Sequence, residues 1–124
     1  MAKKVLIVDD SQVMRAMLVD DLGRRGYIVD AATGGRSGIE KARNSQYDLV
    51  VTDQNMPGME GLEMVKTLRQ MDGYSKIPIL VLTTESSEEL KAKFRTAGAT
   101  GWMVKPYSPD RMTNALAKVL PDSV

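Results

Sequence analysis

Residues 49–58 read Leu49-Val50-Val51-Thr52-Asp53-Gln54-Asn55-Met56-Pro57-Gly58: a short apolar run, a carboxylate at its end, then turn-forming residues. The run does not alternate polar with apolar, which suits a strand of a parallel sheet buried on both faces. Val5–Val8, Ile79–Leu82 and Trp102–Val104 have the same character, and Tyr27-Ile28-Val29 is a weaker version of it. Segments of helical length follow each run. Ser11–Arg25 carries Val13, Met14, Met17, Leu18 and Leu22 at three- and four-residue spacing, with Asp10 or Ser11 to cap it and Gly26 to end it. Gly61–Met71 carries Leu62, Val65, Leu68 and Met71; Ser86–Ala97 carries Leu90, Phe94 and Ala97, with Gly98 as its stop. Pro109–Leu120 follows an N-cap at Ser108 and carries Met112, Leu116, Val119 and Leu120. Gly35–Asn44 is the weakest helix, because Gly38 in its interior costs about 1 kcal/mol relative to Ala. A strand followed by a helix, repeated along the chain, predicts a doubly wound α/β domain with helices on both faces of a five-stranded parallel sheet.

Composition bounds the chemistry. The 124 residues hold 17 Lys+Arg against 16 Asp+Glu, a net charge of +1, with 43% hydrophobic residues and neither histidine nor cysteine. That length predicts one domain over residues 1–124, with Pro121–Val124 as a frayed tail. The charge balance argues against nucleic acid as a partner. The two missing residue types exclude a Ser-His-Asp triad, a cysteine nucleophile, the usual zinc ligands and disulfides. Behind the basic start Met1-Ala2-Lys3-Lys4 the apolar run is too short for a signal peptide, and no stretch approaches the ~18 apolar residues of a membrane span. A cytoplasmic protein that neither crosses nor binds membranes is expected. Met14, Met17, Met64, Met71 and Met112 fall at or beside core spacing and are expected to fill the core.

The residues that follow the strands carry the functional signal. Asp9-Asp10 follow the first, Asp53 the third, Thr83-Thr84 the fourth and Lys105 the fifth. The carboxyl ends of parallel strands form the ligand crevice of an open α/β sheet, so these residues converge. Singly, Asp10 suits a helix cap, Thr83 a turn and Lys105 a solvated charge; together they are harder to dismiss. Three carboxylates against one ammonium leave two negative charges in a partly desolvated crevice, which a divalent cation would relieve. Oxygen donors alone favour a hard ion, Mg²⁺ before Mn²⁺ or Ca²⁺. Asp53, at the end of the central strand, is the candidate nucleophile for an acyl phosphate, with Thr83 and Lys105 placed to hold the transferred oxygens. The loop from Asn55 to Gly58 is placed to offer the metal a backbone carbonyl.

Over nearly its whole length the chain resembles the receiver domains of bacterial two-component response regulators. The resemblance rests on Val8-Asp9-Asp10-Ser11, Asp53-Gln54-Asn55-Met56-Pro57-Gly58, Leu82-Thr83 and Val104-Lys105-Pro106-Tyr107, in order and at these spacings. Asp-x-Asn-Met-Pro and Met14-Arg15 make it most similar to the single-domain, CheY-like chemotaxis type. The resemblance implies a flavodoxin-like three-layer sandwich with strand order 2-1-3-4-5, an order taken from the family itself. It implies that Asp53 accepts phosphate from the phosphohistidine of a histidine kinase or histidine phosphotransfer protein. It further implies that Asp10, Asp53 and the backbone carbonyl of Asn55 ligate Mg²⁺, with Asp9 acting through water, and that the bond before Pro106 is cis. Thr83 and Trp102 would be the switch residues that couple the phosphate to the surface of the fourth helix, fifth strand and fifth helix. Asn55 and Glu85 would tune phosphate lifetime, here toward a short-lived mark. Three residues depart from the commoner pattern: Trp102 where Tyr or Phe is usual, Thr84 where a small residue is usual, and Lys91 where the motor-binding surface of enteric relatives is apolar.

A signalling switch that catalyses only its own phosphorylation and dephosphorylation is therefore expected. No effector follows before Val124, so its target would be another protein, with the flagellar motor switch in chemotaxis favoured and a phosphorelay shuttle or phosphate sink as runner-up. It is expected to be monomeric. A Mg²⁺-dependent aspartyl-phosphate phosphatase would want Asp-x-Asp where Asp53-Gln54-Asn55 stands. A flavin mononucleotide binder would be repelled by Asp9-Asp10.

Overall fold

The apolar runs fold as the strands of one parallel sheet. The computed structural model describes residues 2–120. In chain order the elements are β1 (Lys4–Val8), α1 (Gln12–Arg24), β2 (Ile28–Ala32), α2 (Gly35–Asn44), β3 (Leu49–Asp53), α3 (Gly61–Arg69), β4 (Ile79–Thr83), α4 (Glu88–Ala97), β5 (Gly101–Val104) and α5 (Pro109–Val119). The sheet order is β2-β1-β3-β4-β5, with every pair parallel. This is the expected doubly wound architecture. The stretch 121–124, expected to fray, lies outside the described residues.

Alternation along each strand sends side chains into two separate apolar layers. Leu6, Val8, Val50, Ile79 and Val81 meet Ile39 and Ala42 of α2, Met64, Val65 and Leu68 of α3, and Phe94 and Ala97 of α4. Val5, Ile7, Leu49, Val51, Leu80 and Leu82 meet Leu18 and Leu22 of α1 and Met112 and Leu116 of α5. Burial on both faces is why the central strands read as unbroken apolar runs. β2 pairs only with β1, and Ile28 on this edge is 52% exposed. Its run is interrupted by Asp30, so the expected strand at 27–29 starts one residue early and stops three residues short of Ala32.

The helices begin where their caps dictate. The Ser11, Ser87 and Ser108 hydroxyls accept from the backbone N–H groups of Met14, Leu90 and Arg111, each at 3.2 Å. Ser86 and Ser87 therefore precede α4 rather than belong to it, and α3 ends at Arg69 rather than Met71. The core expectation for α1 needs correction. Val13 is 71% and Met17 43% exposed, while Met14 packs at the layer edge. The helix buries a narrow stripe through Leu18 and Leu22, and Met17 lies about 100° around the axis from Leu18. Met64 and Met112 are fully buried, and Met71 packs against the first layer.

Two glycines are explained by close approach. A Cβ on Gly38 would lie 2.9 Å from Val8 Cγ2 and 3.0 Å from Met64 Cε, so the residue that weakens α2 also lets it sit on β1. A Cβ on Gly61 would lie 2.5 Å from the Asp53 carbonyl oxygen and 2.9 Å from Gln54 Cα, both backbone atoms that cannot rotate away. Gly61→Ala is therefore expected to destabilise the protein by about 2 kcal/mol, lowering the midpoint of a thermal melt by about 8 °C. An unchanged melting curve would contradict this account of how α3 meets β3.

Candidate functional site

The sheet ladders run one residue beyond the strands and so fix the backbone of the polar residues that follow. Asp9 N–H donates to the Ala32 carbonyl at 3.1 Å, Gln54 N–H to Leu82 at 2.8 Å and Lys105 N–H to Thr83 at 2.8 Å. Parallel register then aligns the strand ends, with Val8 opposite Thr52, Asp53 opposite Leu82 and Thr83 opposite Val104.

Asp9, Asp10 and Asp53 are gathered so that one carboxylate oxygen from each lies within 4.8 Å of the others. Asp9 and Asp53 are buried, whereas Asp10 faces solvent. The Lys105 ammonium pairs with Asp53 Oδ1 at 2.9 Å. Asp9 Oδ1 accepts the Ser11 N–H at 2.8 Å, but its Oδ2 is buried without a hydrogen-bond partner. Burial pushes the Asp9 carboxyl above its ordinary range; the Ser11 N–H opposes this, the Asp53 charge adds to it, Lys105 opposes it and Asp10 adds to it. A buried carboxylate oxygen without a donor, next to two more carboxylates, fits a hard divalent cation with oxygen ligands.

Thr83 ends β4 and is buried, its Oγ1 accepting the Glu85 N–H at 3.1 Å. Asn55 is exposed and donates from Nδ2 to the Thr84 hydroxyl at 3.1 Å, bridging the loops after β3 and β4. Among the described residues, neither Asn55, Glu85 nor Trp102 hydrogen-bonds to Asp53. Trp102 is half-buried on β5, its ring centroid 6.1 Å from that of Phe94 and 5.4 Å from the Arg95 guanidinium carbon. It borders a cavity of about 360 Å³ lined also by Lys91, Arg111 and Lys118, on the face formed by α4, β5 and α5. The Lys105–Pro106 peptide bond is cis.

Two supporting residues escaped the sequence reading. Arg15 donates from Nη1 to the Asp9 carbonyl at 2.8 Å, which ties α1 to the acidic turn. Gln54 is buried, and its Oε1 accepts the Leu62 N–H at 2.8 Å while its carbonyl accepts the Gly61 N–H at 3.0 Å. Glu60, at the N-cap of α3, makes no side-chain cap bond, so Gln54 fills that role from the neighbouring strand end. The missing Cβ at Gly61 was the one sequence signal of this contact.

Comparison with known proteins fits this geometry. The sequence matches the response regulator receiver domain over residues 5–117. It is 38% identical over 120 residues to the chemotaxis protein CheY of Thermotoga maritima, covering 96% of this chain and 98% of that protein. It is also 38% identical over 120 residues to the alkaline phosphatase synthesis transcriptional regulatory protein PhoP of Bacillus subtilis, covering 97% of this chain but 49% of that one. The structure of Vibrio cholerae chemotaxis protein CheY4 superposes with a TM-score of 0.93 at 43% identity, covering 97% of this chain and all of that one. With its acidic cluster, its lysine and its strand order accounted for together, the chain belongs to the response regulator receiver family.

Proposed function

We propose that this protein is a phosphorylation-activated switch that takes a phosphoryl group from a kinase phosphohistidine onto Asp53, in chemotaxis signalling in the cytoplasm. The observation that carries the reading is the Asp53–Lys105 pair inside the cluster of three carboxylates. An Asp53 oxygen attacks phosphorus in line, the phosphorus–nitrogen bond of the phosphohistidine breaks, and the imidazole leaves with its electron pair. The Lys105 ammonium, already on Asp53 Oδ1, meets the phosphoryl oxygens, and the Thr83 hydroxyl donates to another. Asp10, Asp53 and the Asn55 carbonyl would hold Mg²⁺, with Asp9 reaching it through water. The ion would supply positive charge to the phosphoryl oxygens and offset the excess of carboxylates. Asn55 and Glu85 flank the entrance, where they bear on how long the acyl phosphate survives. The face of α4, β5 and α5, with Trp102 in it, is the output surface for a downstream protein such as a flagellar motor switch. Relatives of matching length that are chemotaxis proteins support that output.

Incubation with acetyl phosphate and Mg²⁺ is expected to add one phosphoryl group per chain by intact mass, and Asp53→Asn to abolish it. Stoichiometric labelling that survives the substitution would sink the reading.

Asp9→Asn separates metal binding from folding. The Asp9 carboxyl has a raised pKa, so the folded chain binds this proton more tightly than the unfolded one, and metal-free stability falls as pH rises above about 3.8 through the folded value. Asp9→Asn keeps the acceptor for Ser11 and removes the charge. At pH 7 it is expected to stabilise the metal-free protein by about 1 kcal/mol and to weaken Mg²⁺ binding by titration calorimetry. A lower melting temperature without metal would contradict the account.

Pull-down from cell lysate with and without beryllofluoride tests the output. Recovery of a motor-switch protein only with beryllofluoride is expected, whereas recovery of a histidine phosphotransfer protein alone would favour a phosphorelay shuttle or phosphate sink.

A further inference from the structure

The loop that carries the chain away from Lys105 is fastened to α1 by a half-buried polar latch. Tyr107, two residues past Lys105, donates its hydroxyl to the Asp21 carboxylate. Asp21 also receives Arg25 Nε at 3.0 Å. Arg25 then crosses to α5, donating from Nη2 to the Pro109 carbonyl at 2.8 Å and from Nη1 to the Thr113 hydroxyl at 2.9 Å. Arg111 Nη1 holds the Pro106 carbonyl at 2.9 Å, and the Ser108 hydroxyl caps α5. Each residue from Pro106 to Pro109 thus has a polar atom engaged.

Burial separates this latch from an ordinary surface pair. Asp20–Arg24 has the same spacing and the same 3.0 Å contact, but its side chains are 63% and 78% exposed, so solvent screens it to little effect. The Asp21 and Arg25 side chains are only 15% and 21% exposed, and Tyr107 packs on the apolar layer beneath α1 and α5. Charge-assisted hydrogen bonds are stronger in such surroundings. Burial first, and the Asp21 acceptor second, push the Tyr107 phenol well above its ordinary range, so it remains a donor at neutral pH.

Lys105 needs such a support. Its N–H is fixed to Thr83 on the β4 side, but β5 is an edge strand, so among the described residues this loop alone supports its backbone on the other side. Its ammonium rides on a flexible four-carbon stem, and a displacement of about 1 Å at a reacting group can cost about 100-fold in rate. We propose that Tyr107, anchored by Asp21 and Arg25, is a positioning residue for Lys105: the latch aims the ammonium at Asp53 and ties it to α1, the helix that directly follows Asp9 and Asp10. This role rests on the phosphoacceptor reading of Asp53.

The test is the rate of labelling by saturating acetyl phosphate with Mg²⁺, a small donor that needs no docking surface, followed by intact mass to long times. Tyr107→Phe keeps the ring and removes the hydroxyl; the expected result is a loss of about tenfold in maximal rate, with Asp21→Asn giving the same loss from the acceptor side. In a Lys105→Ala background the Tyr107→Phe change is expected to add nothing, a pattern that a merely structural role would not produce. Wild-type rates for Tyr107→Phe, or an equal loss with and without Lys105, would overturn the positioning role while leaving the phosphoacceptor intact. Failure of the unsubstituted protein to label at all would overturn the phosphoacceptor reading, and this role with it.

Discussion

Repulsion among Asp9, Asp10 and Asp53 is the constraint on which the rest of the structure depends. One oxygen from each lies within 4.8 Å of the others, and the ammonium of Lys105 is the paired cation at 2.9 Å from Asp53. Left to itself the cluster would spread or protonate: burial chiefly, with the Asp53 charge adding to it, already pushes the Asp9 carboxyl above its ordinary range. It stays assembled because its residues leave strands whose side chains fill two apolar layers. β3 and β4 are buried at every residue, and β1 at four of its five. Displacing Asp9 or Asp53 would break a ladder and open a packed layer, a larger penalty than the repulsion.

The same logic explains the unusual contacts around the cluster. The first turn of α3 presses so closely on β3 that no side chain fits at Gly61, and Gln54 caps the helix across that contact. Arg15 reaches from α1 to the Asp9 carbonyl, and the Tyr107–Asp21 contact binds the Lys105 loop to the same helix. Support at the end of β3, around Asp53, therefore comes from α3, whereas Asp9 and the loop that follows Lys105 are both held to α1. Two helices on opposite faces of the sheet, α1 and α3, thus hold the strand ends that carry the site.

How much of this was legible depended on whether a residue's role leaves a local pattern. β1, β3 and β4 were readable because burial on both faces forces unbroken apolar runs, and Asp9, Asp10, Asp53 and Lys105 because they break those runs at the same end. β2 was blurred since an edge strand tolerates Asp30 and an exposed Ile28. Val13 and Met17 misled: apolar residues at helical spacing say nothing about how wide a stripe the sheet can cover. Gln54, Arg15 and Tyr107 were invisible as supports because each partner lies outside the residue's own element, 8 residues away for Gln54 and Leu62, 6 for Arg15 and Asp9, and 86 for Tyr107 and Asp21. A periodicity argument has no access to such pairs.

On the proposed reading, phosphorylation replaces the single charge of the Asp53 carboxylate with the nearly two of an acyl phosphate, a net gain of about one negative charge at a site already in excess, and the response follows whichever donor is cheapest to move. The Thr83 hydroxyl is held by one bond, accepted from Glu85 N–H at 3.1 Å. Giving that up costs about 1 kcal/mol, less than the roughly 1.5–3 kcal/mol of a hydrogen bond to a charged group. Trp102 is held differently, by the Phe94 ring on one side and the Arg95 guanidinium on another. Its indole would forfeit both contacts on turning inward and would need more room than a phenyl or phenol ring. The charge change therefore acts first on the backbone from Thr83 to Glu85, just ahead of α4, and reaches Trp102 only to the extent that a shift of α4 loosens Phe94 and Arg95, both of which that helix carries.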